Sequence, residues 1–153
     1  MALIGVSLTA PAATSSFRLG SRHEDESGNE YVYVHANGAI TGAGYTCIID
    51  SAYEAAMVST SNDLANNMIG IPLAAFADND YGWLAIKGTA QVRATSGALL
   101  NVSLNTTATP GLLDDDATAG AFKVTGLALT ATAGSTTNVL AVLNFPALAA
   151  VVI

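Results

Sequence analysis

The residues able to do chemistry in this chain are few: His23 and His35, Cys47, the pair Asp78 and Asp80 around Asn79, the run Asp114, Asp115 and Asp116, and Trp83. Nucleophilic catalysis needs a Ser or Cys beside a base that a third group orients. Neither histidine offers that setting. His23 stands in a polar acidic run over 23–29, His35 lies near the end of an expected strand, and no Gly-x-Ser-x-Gly elbow occurs. Cys47, between Thr46 and Ile48-Ile49, reads as a small buried hydrophobe with nothing adjacent to lower its pKa. As the single cysteine it has no partner for an intramolecular disulfide and none for a zinc site.

The carboxylates are weighed in the same way. Asp78-Asn79-Asp80-Tyr81-Gly82 has the beginning of a calcium loop but lacks the third ligand before Gly and the closing Glu, so a hairpin tip is expected. Asp114, Asp115 and Asp116 follow Thr109-Pro110-Gly111 and read as a solvated loop, with a cation or a basic partner as the alternative. A glycosidase pair would need an aromatic-lined cleft, and this chain has one Trp and 7% aromatic residues. Trp83, between Gly82 and Leu84-Ala85-Ile86, is expected as an anchor in the core or at a subunit interface. The expectation is therefore a protein that is not an enzyme, with no catalytic residue, cofactor or metal.

What must position these residues is strand. From Glu30 the pattern has period two, with Tyr31, Tyr33 and His35 on one face and Val32, Val34 and Ala36 on the other, before the turn signal Asn37-Gly38. Further strands are expected near 45–50, 53–59, 68–76, 81–87, 89–94, 99–105, 122–131 and 138–145, divided by Gly, Asn, Asp, Ser and Pro. No window sustains a helical apolar stripe over three turns; one short turn capped by Ser61 is expected over 61–67. A weak repeat at a 56-residue offset relates 70–86 to 126–142. Each half reads as a hairpin, and the two are expected as opposite walls of one barrel. The fold class is all-β, a small antiparallel β-barrel or β-sandwich over 28–153 with an extended N-terminal arm over 1–27.

Composition sets the surface. Charged residues make up 11% of the 153 residues, against roughly 25% in a typical soluble domain, so the exterior is built from small neutral side chains. Such a surface favours cover by a partner or by further copies. The net charge of −7 argues against nucleic acid and anionic membrane. Mean hydropathy is +0.44, yet the apolar stretch 139–153 is broken by Asn144 and Pro146 and falls short of the ~20 residues a spanning helix needs. The apolar start has no basic residue before Arg18, unlike a secretory leader. The sequons at Asn101 and Asn105 therefore carry no weight.

The order of motifs Gly28-Asn29-Glu30-Tyr31-Val32-Tyr33-Val34, Ile48-Ile49-Asp50, Ile69-Gly70-Ile71-Pro72, Tyr81-Gly82-Trp83-Leu84-Ala85-Ile86, Thr109-Pro110-Gly111 and Val124-Thr125-Gly126-Leu127 resembles that of the head-decoration, or cement, proteins of tailed bacteriophages. The likeness covers roughly residues 28–146 and rests on order and spacing, since each motif alone is only a strand with a turn. Gly44 is followed here by Tyr45 where many relatives have Gly-Asp, and 60–67 looks like an insertion. The resemblance implies a small β-barrel or sandwich, a homotrimer seated on the outer capsid surface, made in the host cytoplasm, with the major capsid protein as partner. Leu3, Ile4, Val6, Leu8 and Phe17 of the arm are the expected capsid- or neighbour-binding residues, because an apolar segment without a period gains most by adding to a partner's edge. The alternative is a carbohydrate- or receptor-binding β-module of a phage fibre or adhesin, which requires an exposed aromatic or calcium-bearing site near Asp78 to Trp83.

Overall fold

The computed structural model describes residues 2–151, so Met1 of the expected arm and the last two residues of the expected domain lie outside it. Ten strands follow one another: β1 (Arg22–Glu24), β2 (Glu30–Ala36), β3 (Cys47–Ile49), β4 (Glu54–Met57), β5 (Met68–Pro72), β6 (Tyr81–Ala94), β7 (Leu104–Thr106), β8 (Leu113–Asp114), β9 (Phe122–Leu129) and β10 (Thr137–Val151). The described residues contain no helix. Ala-rich segments stay extended because glycines and β-branched residues interrupt them and no helical stripe exists to bury. The turn expected over 61–67 does not become helical. Asn66 turns to φ 68° and sends its N–H to Leu148 O at 2.7 Å instead of back along its own segment.

The pairings close two rings. One runs β2–β4–β3–β5–β6 and back to β2; the other runs β6–β8–β7–β9–β10 and back to β6. The sheet is mixed where antiparallel pairing was expected. A ring of five strands cannot alternate direction throughout, so each ring holds one parallel pair, β2 with β4 and β6 with β8. Closure leaves few open edges for stray pairing.

Strand β6 belongs to both rings and runs unbroken through Gly88, where two strands were expected. Its first half pairs with β2 and β5, its second with β10, and Lys87 is opposite both Glu30 and Asn144. Gly88 makes the passage possible: its φ is 100°, and a Cβ there would run into Asn29 Oδ1. The two halves of the sequence repeat are hairpins, β5–β6 and β9–β10, but they stand in different rings rather than as two walls of one barrel.

Each ring has its own interior. Val32, Val34, Cys47, Ile49, Leu84 and Ile86 alternate into the first and close over Ile40 and Phe76. Val92, Leu104, Leu113, Leu129, Ala141 and Leu143 fill the second. Each large side chain so buried contributes ~1.5–3 kcal/mol. The opposite face of β2 and β6, carrying Tyr31, Tyr33 and Trp83, is covered by the N-terminal segment, whose last part, within the expected arm, is β1.

Candidate functional site

The arm lies along its own body. Ala12 and Tyr81 exchange backbone hydrogen bonds at 3.0 and 2.8 Å, Gly20 N–H donates to Tyr33 O at 2.9 Å, and Leu3 N–H donates to His23 Nδ1 at 3.0 Å. Leu3, Val6, Leu8 and Phe17 are half-buried against the core, whereas Ile4 is 97% exposed. Phe17 sets its ring edge-on to Tyr33 and Trp83, with centroids 5.4 and 5.2 Å apart. Trp83 is 2% exposed. The cover over this tryptophan is supplied by its own chain.

Most of the chemically able side chains make contacts within the fold. His35 lies 3.5 Å from Glu54 and against Tyr81; His23 receives Leu3 and stacks on Tyr31. Cys47 is fully buried, which pushes its thiol far up from the ordinary range. Asp78 accepts Gly38 N–H at 2.8 Å and Asp80 accepts Ala77 N–H at 2.9 Å, around Asn79 at φ 69°. Asp114, Asp115 and Asp116 bring carboxylate oxygens within 4.8 Å of one another, and two of them accept the N–H groups of Asp116 and Leu99 at 3.3 Å. Asp25 organises the loop before β2. The Asn29 amide chiefly, with the N–H groups of Asn29 and Ser27 and the Tyr31 hydroxyl, holds its carboxyl below the usual range. Burial first, and the Asp25 charge second, push Tyr31 up to about 12.

The surface carries a different candidate. On the outside of the second ring Leu140 stands opposite Gln91, and Val142 stands between Thr89 and Ala128. Val142 is 51% exposed, and Leu140 and Phe145 are exposed to similar degrees. Leu99, Leu100 and Val102 are also exposed, in a loop tied to the end of β9 by Asn101 N–H to Leu129 O at 3.1 Å.

No family model, curated protein or solved structure matches this chain. The site therefore rests on its own geometry, which brings forward residues that the sequence reading did not single out. Leu140 and Val142 had a legible signal. In 139–143 both faces of the strand are apolar, Val139, Ala141 and Leu143 inward and Leu140 and Val142 outward, as in a strand covered on both sides. Leu99, Leu100 and Val102 had none, since their exposure follows from the path of a loop.

Proposed function

We propose that this chain is a structural virion protein, a decoration protein that sits on the outer surface of a viral capsid as a homotrimer and reinforces the shell through contacts with the major capsid protein. The observation that carries the reading is the placement of apolar surface: among the described residues, six of the eight exposed large hydrophobic side chains, Leu99, Leu100, Val102, Leu140, Val142 and Phe145, lie on the second ring or its loops. Soluble monomers rarely leave large apolar side chains gathered on one part of the fold, and their gathering on the second ring suits attachment to another protein. The all-β body, the low charge and the resemblance in motif order agree with it. Three modest contacts per trimer would raise avidity ~10²–10⁴-fold without a new kind of bond. On this reading the 99–102 loop, with Ile4, meets the shell. The carbohydrate-binding alternative loses its platform, because Trp83 is buried and Asp78 and Asp80 cap a turn.

The test is imaging of capsids produced with and without the chain. Regular protrusions on the outer surface are expected only in its presence, and they are expected to vanish with Leu100→Asp while the soluble protein remains folded. Identical shells in both preparations would overturn the reading.

A further inference from the structure

The charges of this chain are segregated, and the segregation selects a partner for the β6–β10–β9 face. All twelve carboxylates lie elsewhere: β6, β9 and β10 contain no Asp or Glu but hold Lys87, Arg93 and Lys123, three of the five cations. The two ion pairs among the described residues are His35–Glu54 and Lys87–Glu30; Arg93, whose guanidinium lies 5.1 Å from the Tyr45 ring centroid, and Lys123 have no carboxylate partner among those residues. The complementary surface is on the first ring. There a groove of about 130 Å³ is lined by Asp50, Glu54, Asn62 and Leu64, and Leu64 is 62% exposed.

Two copies could meet face to face or head to tail. Joining two β6–β10–β9 faces would bring Arg93 and Lys123 of each copy to a surface with no carboxylate to offset them. Setting that face on the groove of the next copy places Leu140 and Val142 on Leu64, and Arg93, two residues along β6 from the Gln91 that faces Leu140, opposite Asp50 and Glu54. We propose that the β6–β10–β9 face of one copy seats on the Asp50–Glu54–Leu64 groove of a second copy, in a head-to-tail contact. Each copy carries both surfaces, so the contact propagates until it closes a ring. This extends the reading above, which calls for an oligomer but assigns no face to it.

Sedimentation velocity of the full chain tests the proposal with Val142→Lys and Leu64→Lys, both at exposed positions, with Trp83 emission as the check that each variant is folded. The wild type is expected to form a closed oligomer, and each variant to associate about tenfold or more weakly. The decisive sample is an equal mixture of the two variants. The Val142→Lys copy keeps an intact groove and the Leu64→Lys copy an intact face, so the mixture is expected to form one-to-one pairs and nothing larger. A monomeric wild type, a Leu64→Lys variant that assembles normally, or a mixture that stays monomeric would overturn the contact. The two readings fail separately: a monomeric protein that still decorates capsids removes this contact alone, whereas the expected ring without capsid density removes the capsid function alone.

Discussion

The Thr106 hydroxyl donates to Asp63 Oδ2 at 2.6 Å across 43 residues of sequence, and its oxygen accepts Phe122 N–H at 2.9 Å. One buried group thus ties the loop before β5 in the first ring to β7 and β9 in the second. Removing it orphans a carboxylate and a backbone N–H together. Thr106→Val is expected to lower stability by roughly 2–3 kcal/mol, and Thr106→Ser to restore most of the loss, as read from urea midpoints. Equal losses in both variants would assign the effect to the methyl group instead.

Phe17 is the peg by which the arm holds to the body. Its ring meets Tyr33 and Trp83 edge-on, between the hydrogen bonds that Ala12 makes with Tyr81 and those that Ser16, Gly20 and Ser21 make with Tyr33. Phe17→Ala is expected to cost about 2–3 kcal/mol, below the full core value because the ring is half-buried. It also uncovers Trp83, the only tryptophan, so the emission maximum is expected to move to the red. An unchanged spectrum would mean that the arm stays in place without its peg.

The strands were legible in the sequence where alternation was strict, as in Tyr31 to Ala36, because period two states which residues share a face, although here both faces are buried. The rings were not. Whether β6 ends at Gly88 or passes through it depends on a φ of 100° and on the room left by Asn29, and neither is written in local hydrophobicity. The odd ring size that forces β2 and β4 parallel is likewise a property of closure. For the arm, the apolar residues were plain, but what they cover was not: Leu3, Val6 and Leu8 pack on a core built from strands later in the chain, and Phe17 on Tyr33 and Trp83 of β2 and β6.

Tyr31 gives the fold a limit on the alkaline side. Its hydroxyl donates to Asp25 Oδ2 at 3.1 Å, and its folded pKa of about 12 lies above the ordinary value near 10. The folded chain therefore keeps a proton that the unfolded chain releases. The stabilisation is complete below pH 10 and is lost as pH rises towards 12. Absorbance at alkaline pH is expected to show Tyr31 ionising late, and Asp25→Asn to move that step to lower pH. A step unmoved by Asp25→Asn would leave burial as its whole cause.

Phe145 occupies a backbone conformation that costs the chain energy. Its φ is 48°, unusual for a bulky side chain, and it precedes Pro146 in a shift of register between Leu143 and Ala147. Opposite, Gly126 at φ 71° leaves no room for a Cβ, which would lie 2.5 Å from Asn144 O, so both strands bulge together. The result is an aromatic ring held on the outer face with Lys87 Nζ 5.8 Å from its centroid. A left-handed residue with a full side chain costs ~1–2 kcal/mol, and Asn tolerates that geometry better than Phe. Phe145→Asn is therefore expected to leave the isolated chain as stable or up to ~1 kcal/mol more stable, while weakening its self-association. Urea unfolding of dilute protein and sedimentation of concentrated protein read the two effects apart. A variant that unfolds more easily and associates as before would mean that the ring serves its own fold, and that the strain is not held for a partner.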